Sequence, residues 1–136
     1  MMKHISAGKV REYTWVAVIG AAGYSLLEIL WRGHTHWSMA LAGGVCLPLI
    51  YKVHTGGRHC LAVRSVLCSG IITAVEFAVG VVVNLLLGWR VWDYSGLRFN
   101  LLGQICLLYS LLWCLLSAAI CPVCRALKKH FDRVCT

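Results

Sequence analysis

Acidic residues are what this chain has least of. Five Asp and Glu stand against thirteen Lys and Arg, and only 13% of the residues are charged. A soluble domain carries about a quarter charged residues, so this balance argues against a water-facing globule and for lipid as the solvent. A net charge of +8 would suggest nucleic acid in a soluble protein. Here the bases lie between apolar runs, which points to loops anchored at anionic headgroups and to no nucleic-acid partner.

Motifs are scarce as well. There is no G-x-x-x-x-G-K-[ST], so the chain has no P-loop with which to bind ATP. There is no G-x-S-x-G and no H-E-x-x-H. A length of 136 residues allows a single membrane domain over 1–136, with no soluble domain to hold a catalytic site. The expectation is therefore a protein that is not an enzyme and needs no cofactor. No apolar run is followed by a small-residue cleavage site and a soluble domain, so no cleaved signal peptide is expected.

Four apolar runs are present. They cover residues 14–31, 37–53, 62–89 and 99–120. A bilayer core of about 30 Å needs roughly 20 apolar residues per helix, and the third run is long enough to span with tilt. The second is the shortest and is broken mildly by Pro48. Pro122 ends the fourth, leaving a basic tail over 121–136. The runs are continuous rather than alternating, and lipid demands internal backbone hydrogen bonding, so helices are expected. The fold class expected is all-α, an integral membrane four-helix bundle.

Ten of the thirteen basic residues lie in the N-terminal tail, the second loop region and the C-terminal tail: Lys3, Lys9, Arg11, Lys52, Arg58, Arg64, Arg125, Lys128, Lys129 and Arg133. The other loops carry three, Arg32, Arg90 and Arg98. The positive-inside rule puts the ten, and both termini, in the cytoplasm of a multi-pass cell-membrane protein. Trp31, Trp37, Trp89 and Trp92 would then mark the outer interface. A weak internal echo links Gly43-Gly44-Val45-Cys46-Leu47 to Gly103-Gln104-Ile105-Cys106-Leu107, each after a Trp-Arg pair. Two parallel helical-hairpin repeats would produce it, and so would chance.

Eight cysteines would suggest disulfides in a secreted protein. Cys46, Cys68, Cys106 and Cys114 fall inside apolar runs, where Cys packs as a small hydrophobe. Cys60, Cys121, Cys124 and Cys135 fall on the reducing side, so no structural disulfide is expected. Cys121-Pro122-Val123-Cys124 is a C-x-x-C without a second pair or a thioredoxin-like surround, and reads as a helix terminus with two thiols.

Glu28 and Glu76 lie inside spans. A carboxylate at the bilayer centre costs about 2.5–3.5 kcal/mol on insertion scales, so each should face a partner or a wet cavity. Arg32 stands four residues after Glu28, the spacing of an ion pair on one helical face. Thr73, Glu76, Gly80 and Asn84 form a polar stripe at spacings of three and four. Glu28, Asn84 and Gln104 come out at similar depth, with Glu76 below. The stripe reads either as interhelical hydrogen bonding or as the wall of a polar pocket. His34 and His36 could ligate a metal with Asp93 or Glu28, although an H-x-H pair also serves as loop capping.

These residues resemble a known family. Gly23-Tyr24-Ser25-Leu26-Leu27-Glu28, Arg32 and Thr35-His36-Trp37-Ser38 are similar to the opening motif of the bacterial ABC-transporter type IV family of small permease-like membrane proteins. Glu76-Phe77 with Gly80 and Asn84, Trp92-Asp93-Tyr94-Ser95, and Asn100 with Leu102-Gly103-Gln104-Ile105-Cys106-Leu107 and Trp113 look similar too. The basic, cysteine-bearing tail lies outside this resemblance. It implies a permease or membrane substrate-binding component, but no substrate and no catalytic residue. Such a small chain would need to form a homo-oligomer, and without a P-loop it would need a separate ATP-binding subunit. The basic stretch from Lys52 to Arg64 is the natural docking place. Glu76 and Asn84 would line the path, near Gln104, with Glu28, Arg32 and Asp93 at its outer mouth. Two other readings remain open. One is an integral membrane enzyme using His34, His36, Asp93 and Glu28 at the outer face. The other is an accessory membrane subunit.

Overall fold

The computed structural model describes residues 7–57 and 59–134. Lys3, Arg58 and Cys135 lie outside the described residues. Among the described residues the regular structure is helical apart from one short hairpin. α1 is Ala7–Arg32, α2 is Trp37–Thr55, and α3 is Leu61–Gly80, which runs on as a π-helical turn, Val81–Leu86. A two-stranded hairpin follows, with β1 at Asn100–Leu101 and β2 at Ile105–Cys106, then α4 at Leu107–Val134. Among the described residues three helical stretches are long and apolar enough to cross a membrane: Ala7–Arg32, Leu61–Leu86 and Leu107–Val134. α2, which ends in Lys52 and His54, is not one of them.

The distribution of polarity is that of a protein in lipid. Leu30, Leu86 and Leu115 are exposed, whereas Glu12, Glu28, Arg64, Glu76 and Gln104 are buried. Such burial is tolerated only where partners replace water.

The helices pack as two pairs. α1 lies on α2 and α3 lies on α4; α2 bridges to α3 and α4, while α1 and α4 meet through long side chains such as Glu12 with Lys128 and Tyr24 with Trp113. The α1–α2 crossing is set by glycine. A Cβ on Gly43 would sit 2.6 Å from the Gly20 carbonyl oxygen and 2.6 Å from the Tyr24 Cβ. Only two bare backbones can approach so closely, as small-residue crossings in membranes require. Between the pairs lies an apolar core of Val16, Ile50, Tyr51, Cys68, Ile72, Trp113 and Cys124.

Several expectations are corrected. The run 99–120 is not one helix. Its first eight residues form the hairpin, with Asn100 opposite Cys106 and Leu101 opposite Ile105. The turn puts Leu102 at φ 54° and Gly103 at φ 71°, and the Gln104 N–H donates to the Leu101 carbonyl at 3.0 Å. Positive φ at both central residues is the geometry that matches hairpin twist. Pro122 does not end α4, which continues to Val134. Cys121, Cys124, Leu127 and Phe131 recur at helical spacing and all join the core or pack on it. Their burial outweighs the one hydrogen bond that proline forfeits. The internal echo has no structural counterpart: Gly43–Leu47 sits within α2, whereas Gly103–Cys106 is turn and strand. Trp92, expected at the outer interface, is instead buried, whereas Trp31, Trp37 and Trp89 are exposed. The seven described cysteines are free thiols.

Candidate functional site

The end of the bundle that carries the α1–α2 and α3–α4 connections, called here the loop end, is built around the stretch from Leu87 to Cys106. The π-helical turn widens α3 just where Asn84 must turn toward this stretch. Asn84 Oδ1 accepts from the Val91 N–H at 2.6 Å and the Trp92 N–H at 3.4 Å, and its Nδ2 donates to Gln104 Oε1 at 2.7 Å. Trp92 Nε1 donates to the Gln104 carbonyl at 3.0 Å. A Cβ on Gly80 would meet Gln104 Oε1 at 2.7 Å and the Trp92 ring at 2.8 Å. The glycine of the polar stripe is therefore the seat of the folded-back connection.

Glu76 lies one turn further along the stripe. Its Oε1 accepts from the Tyr94 hydroxyl at 2.7 Å and its Oε2 from Trp113 Nε1 at 3.1 Å. Tyr94 stacks on Tyr109 at 4.6 Å between ring centroids. Deeper still, Thr73 Oγ1 and Ser110 Oγ lie 2.8 Å apart. The stripe thus faces α4 at Thr73 and Glu76 and the folded connection from Glu76 to Asn84, and each of its polar members has a partner.

Arg32 holds the rim. It donates to Glu28 Oε1 at 3.1 Å and to the Val91 carbonyl at 2.7 Å, so the predicted ion pair also ties α1 to the distant connection. The other oxygen, Glu28 Oε2, is buried with no partner in the protein. Asp93 is exposed at the rim. The Ser95 backbone N–H, 2.9 Å from Oδ1, holds its carboxyl below the usual carboxylate range.

Two cavities open on this framework. One of about 740 Å³ lies at the rim and is lined by Glu28, Arg32, Asp93, Tyr94, Tyr109 and Trp113, among others. The second, of about 310 Å³, runs deeper between all four helices and is lined by apolar side chains with Glu76 among them. Tyr24, Leu27, Met39, Trp92, Trp113 and Leu116 line both, so the two share walls. Of the residues singled out in the sequence, Glu28, Arg32 and Asp93 line the first and Glu76 the second. Asn84 and Gln104 line neither; their polar groups bond to each other and to the folded connection.

The histidines are used locally. His36 Nδ1 caps α2 by accepting from the Ser38 N–H at 3.2 Å, and its ring packs on Trp37 and Trp89. His34 Nε2 lies 3.3 Å from the Arg32 guanidinium. Among the described residues no group of three or more His, Cys, Asp or Glu side chains could hold a metal ion.

The opposite, terminal end has its own polar groups. Glu12 is buried and accepts from the Tyr51 hydroxyl; Lys128 reaches the same oxygen at 3.5 Å and Asp132 at 3.1 Å. Arg64 is not part of an exposed basic loop. It is buried and donates to the His54 carbonyl at 3.0 Å, closing the end of α2. His54 in turn lies 2.9 Å from the Ser117 carbonyl of α4. Sequence reading missed the bonds of Glu12 with Tyr51 and Lys128 and of His54 with Ser117 because each joins residues far apart in the chain.

The "Putative ABC-transporter type IV" family model matches residues 40–134, more than two thirds of the chain. The match takes in the basic, cysteine-bearing segment up to Val134 and leaves out the Gly23–Ser38 motif. No curated protein and no solved structure matches significantly. With its polar stripe, its folded connection and two of its long apolar helices, Leu61–Leu86 and Leu107–Val134, inside the matched region, the chain belongs to the ABC-transporter type IV family.

Proposed function

We propose that this chain is the permease-like membrane component of an ABC-type transporter, with the loop end facing outward and both termini in the cytoplasm. The observation that carries this reading is the pair of cavities that share walls, with Glu28, Arg32 and Asp93 at the mouth and Glu76 beneath. Tyr94 and Trp113 line the mouth cavity and bond Glu76, so cargo resting there would press on the groups that hold the buried carboxylate. The excess of basic residues at the terminal end supports the orientation. Without a P-loop the chain depends on a separate ATPase, and α2 and α4 offer exposed Lys52, Arg125 and Lys129 for docking it. Four helices are few for a transport path, so the working unit is a homo-oligomer. Asn84 and Gln104 act as positioning residues that hold the mouth in shape.

In this reading the chain performs no covalent chemistry of its own. The test is purification from its native membrane followed by reconstitution. An ATPase should co-purify, and ATP-dependent uptake should collapse in Glu76→Gln while the protein remains folded. Full uptake in that variant removes Glu76 from the path. A cysteine-accessibility map with the loop end inside reverses the orientation and the mouth with it.

A further inference from the structure

The two cavities differ in chemistry in a way that describes an occupant. The deeper one is almost wholly apolar. It reaches along α4 from Trp113 to Leu127, fourteen residues or roughly 21 Å at about 1.5 Å each. That is more than the thickness of one leaflet, about half of a 30 Å core. The mouth cavity sets a carboxylate, a guanidinium and a second carboxylate within one rim. A purely polar solute would leave the deep cavity empty, and a purely apolar one would leave the rim unsatisfied.

Two independent details sharpen this. First, Glu28 is only 7% exposed, yet its Oε2 has no hydrogen-bond partner. A buried carboxylate oxygen without a donor costs well over the value of an ordinary hydrogen bond, so a donor is expected from outside the protein. Arg32 is committed to the other oxygen and to the Val91 carbonyl. Second, Gly23 lies in the middle of α1 and lines the deep cavity, yet a Cβ there would meet nothing within 4 Å. A mid-helix glycine costs about 0.5–1 kcal/mol relative to alanine. Gly20 is explained by its contact with Gly43; Gly23 has no such protein neighbour. Its bareness keeps the cavity wide.

We propose that the cavities hold an amine-bearing phospholipid. One acyl chain lies in the deep cavity past Gly23, Leu116 and Ile120. The primary ammonium donates to Glu28 Oε2, and the phosphate lies at Arg32, whose guanidinium is its natural partner. This rests on the mouth being a binding site, as in the function proposed above, but not on transport or on an ATPase.

The test uses the full chain in detergent micelles and phospholipids with brominated acyl chains, read by quenching of tryptophan fluorescence. Phosphatidylethanolamine should quench saturably. Phosphatidylcholine with the same chains, whose ammonium has no N–H to donate, should bind about tenfold more weakly, and phosphatidylglycerol likewise. Soluble phosphoethanolamine should fail to displace the lipid. Glu28→Gln should abolish the preference for the ethanolamine headgroup. Gly23→Phe, whose Cβ has no protein atom within 4 Å and whose ring takes up room in the cavity wall, should remove saturable quenching by every headgroup. Equal quenching by the ethanolamine and choline lipids overturns the proposal. So does full displacement by the soluble headgroup, or binding that survives Gly23→Phe. These outcomes are read without nucleotide, so they stand apart from whether an ATPase co-purifies.

Discussion

The two helix pairs are held together by opposite means. α1 and α2 meet through bare backbone at Gly20 and Gly43. α3 and α4 meet through side-chain hydrogen bonds: Ser69 Oγ to the Ser110 carbonyl at 2.6 Å, Thr73 with Ser110, and Trp113 Nε1 to Glu76, while Asn84 ties the end of α3 to Gln104 of the hairpin turn. In lipid there is no hydrophobic force between apolar helices, so dispersion at close range and polar bonding are the two means left. The first gives a crossing with no tolerance for a side chain. The second gives a seam of several modest contacts, each replaceable. The deep cavity lies between the two pairs, with Gly20 and Gly43 of the one contact and Glu76 and Trp113 of the other in its wall.

This contrast can be broken in graded steps. Gly43→Leu should be the most damaging single change. Its Cβ would strike backbone, which cannot move aside, so a loss of about 3 kcal/mol or more is expected in reversible unfolding in mixed micelles. Asn84→Leu should follow, at about 2 kcal/mol, because it leaves Gln104 Oε1 and the Val91 N–H without partners. Protection of the Trp92 indole N–H against hydrogen exchange should fall with it. Thr73→Val should cost only about 0.6 kcal/mol, the average for a polar contact between membrane helices. A loss as large as that of Gly43→Leu would show that the seam is not the sum of small terms.

The smallest effect belongs to Asp93. Its folded pKa lies below the ordinary value, so its ionised form contributes stability at pH values above about 3.9, and that contribution is lost as pH falls through the lower folded value. Asp93→Asn should therefore loosen the connection slightly near pH 7, seen as faster exchange of the Ser95 amide. The variant and the parent should converge under strongly acidic conditions.

What could be read from the chain alone follows the same division. The helices were legible because apolar runs state themselves. The Glu28–Arg32 pair and the stripe from Thr73 to Asn84 were legible because helical spacing is local. The hairpin was hidden because Phe99, Leu101, Leu102, Ile105 and Cys106 look like the start of the next apolar span, and two-residue strands are too short to show alternation. Gly103, preceded by Asn100 at turn spacing, was the one signal of it. The continuation of α4 was legible in principle from Cys121, Cys124, Leu127 and Phe131, but the proline drew the boundary instead. The network of Glu12, Tyr51 and Lys128 was not legible at all, since nothing in one segment announces a partner over a hundred residues away.

The contact between Gly20 and Gly43 also sets an order of birth. Everything that the α1–α2 crossing needs, including the bond from Tyr51 to Glu12, has been synthesised once the chain reaches Thr55. The second pair must wait for Ser110 and Trp113. The first hairpin can therefore close while the rest is still on the ribosome, and it stands as a finished wall against which the later helices dock.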